Sequence, residues 1–143
     1  MAVTQFIHSD LATTITTYLD TGLNELADDG VVLGAAIDNS GNRLMMIDVE
    51  IYLATVDLTA TANEGVQIRM VQSLDETNYE DDGVTAYGIT LPIESTSAAH
   101  RRIGTMAAPA GLFKLSVVNK TGAAFGETTN TLKYALYTPE TDI

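Results

Sequence analysis

Residues 45–53 (MMIDVEIYL) leave room for one regular backbone. Met45, Ile47, Val49, Ile51 and Leu53 occupy the odd positions, and Met46, Asp48, Glu50 and Tyr52 the even ones. A helix would put Asp48 and Glu50 on faces shared with aliphatic side chains. A strand separates the rows, because successive Cβ atoms point to opposite sides of a sheet. The period is therefore two, and the run is long enough for a central strand.

The same alternation returns four times. Val66, Ile68 and Met70 alternate with Gln67, Arg69 and Val71. Tyr87, Ile89, Leu91 and Ile93 alternate with Gly88, Thr90 and Pro92. Phe113, Leu115 and Val117 alternate with Lys114, Ser116 and Val118, and Leu132, Tyr134 and Leu136 with Lys133, Ala135 and Tyr137. Pro92 has no N–H to donate, so it belongs at a strand end, an edge or a bulge. Weaker strands are expected at 31–37, where Gly34, Ala35 and Ala36 blur the period, and at 101–106. The Thr-rich stretch 11–19 also favours a strand. Residues 21–28 suit one or two helical turns with Thr21 as cap.

Turn residues separate these runs at 28–30, 38–42, 63–65, 81–83, 109–111 and 119–122. Many short strands divided by such turns, with no strand–helix alternation, predict an all-β antiparallel sandwich or barrel. The expected form is a sandwich of about eight strands. Its core comprises Ile47, Val49, Ile51, Ile68, Met70, Ile89, Leu91, Phe113, Leu115, Val117, Leu132, Tyr134 and Leu136. Residues 1–10 (MAVTQFIHSD) carry Val3, Phe6 and Ile7 outside any alternating row and are expected to form an N-terminal arm. Residues 11–143 are expected to form a single domain.

Composition narrows the function. The 143 residues hold 19 acidic and 7 basic side chains, a net charge of −12, and no cysteine. That charge opposes both phosphate-tracking nucleic-acid binding and docking on an anionic membrane. No uncharged run approaches the ~18 apolar residues of a membrane span. The N-terminus lacks the basic and apolar regions of a signal peptide. Without cysteine there is no disulfide framework, zinc–thiolate site or thiol nucleophile.

Catalytic constellations are weak. His8 and His100 read as surface or loop histidines, and no Gly-x-Ser-x-Gly elbow accompanies them. The pair Asp48/Glu50 lies on one strand face, a spacing that any acidic strand shares and that does not single out a glycosidase. The acidic run 75–83 offers oxygens to a cation. It places Glu80 where an EF-hand loop needs glycine, and otherwise reads as a solvated loop with an Asx-type turn at Asp75 or Asn78. No catalytic, cofactor-binding or metal-ligating residue is therefore expected, and the chain is not expected to be an enzyme. His100, Arg101 and Arg102 form the one basic cluster. They serve either as an ion-pairing contact with an acidic partner, including a second copy of this chain, or as intramolecular neutralisation of neighbouring acidic loops.

Taken in order, the segments 11–20 (LATTITTYLD), 33–39 (LGAAIDN), 48–58 (DVEIYLATVDL), 73–81 (SLDETNYED), 98–104 (AAHRRIG), 109–122 (PAGLFKLSVVNKTG) and 131–137 (TLKYALY) resemble small virion proteins of tailed bacteriophages. The nearest type is the capsid decoration, or cement, protein with a jelly-roll-like β-sandwich. The resemblance implies a non-enzymatic role: binding the major capsid protein on the outside of an assembled capsid, often as a homotrimer, and stabilising the shell. It implies manufacture in the host cytoplasm and a place on the virion exterior. It carries over no residue-level motif. The contacts proposed for this chain (Val3, Phe6, Ile7, His100, Arg101 and Arg102) come from its own sequence. Two alternatives share the architecture: a tail, fibre or head-completion protein, and a carbohydrate-binding module with exposed tyrosines such as Tyr52, Tyr79 or Tyr137. Tyr87 is expected in the core row.

Overall fold

The computed structural model describes residues 5–8, 15–81 and 87–142. The strands in chain order are β1 (Gln5–His8), β2 (Thr16–Leu19), β3 (Val31–Leu33), β4 (Ile37–Asp38), β5 (Met46–Asp57), β6 (Val66–Gln72), β7 (Gly88–Leu91), β8 (Ser97–Ala107), β9 (Leu112–Asn119), β10 (Thr131–Tyr137) and β11 (Pro139–Asp142). One sheet has the order β2-β10-β5-β8, the other β3-β9-β6-β7, with β4 also on β9. All the pairings are antiparallel.

The pairings nest. With β3 and β4 taken as one broken strand, β2 meets β10, β3/β4 meets β9, β5 meets β8 and β6 meets β7. First pairs with last, second with next to last, and so inward. This is one long antiparallel ribbon of eight strands rolled so that its successive pairs alternate between two sheets. That is the strand order of a jelly roll, and the expected sandwich takes this form.

The period-two rows dictate which face turns inward. Ile47, Val49, Ile51 and Leu53 of β5 are fully buried, as are Ile68, Phe113, Leu115, Val117 and Leu132. Met70 and Leu91 join them, while Ile89, Tyr134 and Leu136 pack against this core half-buried. The core extends further, to Leu23, Leu58, Val66, Met106 and Phe125.

Several expectations need correction. Residues 31–37 do not make one strand: the chain leaves β9 between Leu33 and Ile37. Tyr18 of β2 explains the gap. Its hydroxyl donates to Ala35 O at 2.5 Å and accepts from Leu115 N at 3.1 Å, so a side chain from the opposite sheet satisfies the N–H that the missing strand leaves. Gly34 is required there, because a Cβ would collide with the Tyr18 ring. The helix expected at 21–28 is a single 3-10 turn, Thr21–Leu23, capped by the Asp20 carboxylate rather than by Thr21. The strand expected from residue 11 begins at Thr16, and residues 11–14 lie outside the described residues. Tyr87 is 53% exposed, because β7 begins only at Gly88. Pro92 follows the last residue of β7, as its missing N–H requires.

The Tyr18 clip gives a test. Burial pushes its phenol up to about 12, against the Leu115 hydrogen bond that pulls it down. The neutral phenol is thus favoured in the folded state over an unfolded value of 10.0. Its contribution is complete below pH 10 and disappears as pH rises through about 12. Tyr18→Phe leaves the Leu115 N–H unpaired and should cost ~1–3 kcal/mol at neutral pH. Thermal melts from pH 9 to 12 should show a shallower alkaline decline in the variant. Equal slopes would mean that the clip does not set the alkaline limit.

Candidate functional site: the outer face and free edge of the β2-β10-β5-β8 sheet

Because Ile47, Val49 and Ile51 point inward, Asp48, Glu50 and Tyr52 point outward, and the neighbouring strands bring partners to them. Thr105 Oγ1 donates to Asp48 Oδ1 at 2.7 Å, and Tyr137 Oη donates to the same oxygen at 3.0 Å. Burial first, and then this hydrogen bond to a carboxylate, raise the Tyr137 phenol above its ordinary value. Arg101 on β8 donates to Glu50 Oε1 at 2.6 Å and lies 4.8 Å from the centre of the Tyr52 ring. The face is therefore knitted across strands by polar pairs. Beside them lies a shallow apolar trough lined by Ile15, Ile103, Ala135, Lys133, Asp48 and Glu50. Ile15 and Ile103 are each 64% exposed.

The basic cluster divides. His100 is buried, not a surface or loop residue: it pairs with Leu53 in the inward row of β8. Its Nε2 has no hydrogen-bond partner among the described residues. Arg101 turns outward and is neutralised by Glu50, a strand carboxylate rather than one of the nearby loops. Arg102 falls in the inward row opposite Ile51, but β8 is the last strand of its sheet and Arg102 stays exposed. Among the described residues it has no ion pair. Arg101 and Arg102 also border a small hollow of about 210 Å³ with His100, Ala99, Ile93 and Glu94. Of the three residues, the exposed cation without an ion pair among the described residues is Arg102.

β8 itself is unusual. It runs eleven residues, pairs with β5 along one side, and has no strand on its other side among the described residues. Eight of its residues are exposed. Native proteins commonly keep edge strands short or covered, since a long open edge is a template for pairing with another chain.

The N-terminal contact residues are only partly placed. Val3 lies outside the described residues. Phe6 and Ile7 lie on β1, which pairs with β11 through Phe6↔Thr141 and Ile7↔Glu140. This two-stranded ribbon belongs to neither sheet of the sandwich.

The acidic loop after β6 uses its charge internally. Asp75 accepts from Asn78 N at 2.7 Å, Asn78 Nδ2 at 2.7 Å, Thr77 N at 2.9 Å and Ser73 Oγ at 3.1 Å. These bonds, the Asn78 backbone bond foremost, hold its carboxyl well below the usual carboxylate range. The Asx-type turn thus forms at Asp75. Of the tyrosines considered for sugar stacking, Tyr52 has Arg101 over its ring, Tyr79 has Lys114 Nζ at 4.2 Å, and Tyr137 is buried. Among the described residues no group of three or more His, Cys, Asp or Glu is placed to hold a metal ion. The chain matches no protein-family model and no curated protein.

Proposed function

We propose that this chain is a structural protein of a tailed-bacteriophage particle, a decoration or cement protein that binds the major capsid protein on the outside of the assembled capsid and stabilises the shell. The observation that carries the reading is the outer edge of β8, a long strand with no neighbouring strand there among the described residues, which carries the exposed Arg102 on a jelly roll of net charge −12. Such an edge favours docking against other chains, and the charge of Arg102 selects acidic partners. The jelly-roll order adds an analogy of architecture, since viral capsid domains use it; lectin domains use it too, and a fold does not fix a function. The sequence resemblance supplies the phage setting. The protein acts as a homotrimer, and its N-terminal residues 1–10 supply one of the contacts. One weak contact repeated three times on a rigid particle binds far more tightly than it does alone.

The test is made on particles. Purified heads should carry the protein in many copies, and heads lacking it should rupture at lower temperature. Deleting residues 2–9 should leave a folded sandwich by circular dichroism that no longer stays on the capsid. A few copies per particle, confined to the tail, would replace this reading with a tail or head-completion role. Normal decoration by the deletion variant would remove the arm.

A further inference from the structure

We infer that the free edge of β8 is where a second copy of this chain adds its β1–β11 ribbon, so that copies join head to tail. The inference rests on the assembly reading above and names the surfaces that meet. Three observations support it.

The first is the edge. At about 3.3 Å per residue, eleven-residue β8 offers ~36 Å of strand. Its backbone donors and acceptors on that side have no strand partner among the described residues. The second is the ribbon. Among the described residues β1 and β11 pair only with each other, and two strands alone are marginally stable in water. Adding such a pair to an existing sheet edge supplies the third strand it lacks.

The third is charge. Arg102 is an exposed cation with no ion pair among the described residues, whereas the segment 139–142 reads PETD, with two carboxylates. Two β8 edges facing each other would juxtapose arginines, because the strand has no acidic residue. The edge therefore favours a different, acidic part of the second copy. Within one copy, β10 ends at Tyr137, which lies across Met46 from Ala107 at the far end of β8. That is five residues from Arg102, or ~16 Å at strand spacing. A contact between two different patches of this kind closes into a ring or continues as a filament. Closure at three copies would give the proposed homotrimer.

The experiment uses purified full-length chain, without capsids. Sedimentation equilibrium should show self-association that weakens as salt rises, since exposed ion pairs are screened. Arg102→Glu should raise the dissociation constant at least ~10-fold, because like charges then face each other. Arg102→Glu combined with Asp142→Lys should recover most of the loss. The absence of native cysteine allows a positional test. Arg102→Cys mixed with Glu140→Cys or Asp142→Cys should form a disulfide-linked dimer under mild oxidation, well above the level of either single variant alone. Circular dichroism checks that each variant is folded. A monomer at all concentrations overturns the inference. So does association that is indifferent to Arg102→Glu, or a mixture that fails to cross-link. Any of these results on a protein still abundant on purified heads would leave the decoration reading standing. Association as described, on a protein absent from heads, would overturn that reading and keep the edge contact.

Discussion

Phe113→Ala is expected to lower the free energy of unfolding by ~3–5 kcal/mol, the usual cost of emptying a buried phenylalanine site. Phe113 is fully buried on β9, a strand that holds three others: β3 and β4 on one side and β6 on the other. Its row continues through Leu115 and Val117, both fully buried, so there is little slack into which neighbours can relax. A domain of this size holds only about 5–15 kcal/mol in total, and the loss should move the melting temperature by ~10–20 °C. Leu115→Ala, and Ile51→Ala in the facing sheet, should each cost ~2–5 kcal/mol by the same mechanism. Ile103→Ala removes a similar aliphatic group where it is 64% exposed, and should change stability by no more than about 0.5 kcal/mol. Calorimetric or denaturant melts of the four variants check the assignment. A small effect at Phe113 together with a large one at Ile103 would mean that the inward and outward rows are exchanged.

The rows were legible because a sheet with one dry face forces the strictest pattern a sequence can carry. Ile47, Val49 and Ile51 could not slip by one position without exposing all of them. Where the alternation was blurred, a local device had taken over. At 34–36 the small residues mark the place where Tyr18 reaches across from the other sheet, a contact between positions far apart in sequence. Tyr87 fits the period but stands one residue outside β7. His100 lies beside two arginines, and that polar company masked its inward direction. The candidate site was visible only as composition. Arg101 and Arg102 stand out on an acidic chain, but only the pairing of β5 with β8 shows that Glu50 answers one of them and leaves the other open. Nothing in the residues of β8 says that it ends its sheet; edge or centre is decided by the order in which the ribbon rolls up.

Asn130→Ala should be the most costly loss of a polar side chain associated with β5, and the reason is a break in that strand's own period. Burial alternates from Ile47 to Leu53 and resumes at Val56, three residues on instead of two. Against β8 the register steps from Leu53↔His100 to Val56↔Ala98, so β5 carries one extra residue, a β-bulge. The bulge lets Val56 return to the core, and Leu58 beyond it is also buried. On the other side of β5, Ala54 lies beyond the last β10 pairing, Thr131↔Tyr52, and Asn130 Oδ1 accepts its N–H at 3.0 Å beside the bulge. The Asn130 amide nitrogen in turn donates to Asn24 Oδ1 at 2.9 Å and to Gly126 O at 2.8 Å. Asn130 is 1% exposed, so little water can reach groups orphaned inside it. Truncation removes partners from three groups at once and should cost ~2–4 kcal/mol, reduced to the extent that water reaches them. Hydrogen exchange gives the specific readout: the Ala54 amide should lose protection by more than the global loss of stability explains, while amides in the middle of β9 follow the global change. If the Ala54 amide keeps its protection and stability falls by less than about 0.5 kcal/mol, the bulge is held by strand pairing alone and Asn130 merely fills space.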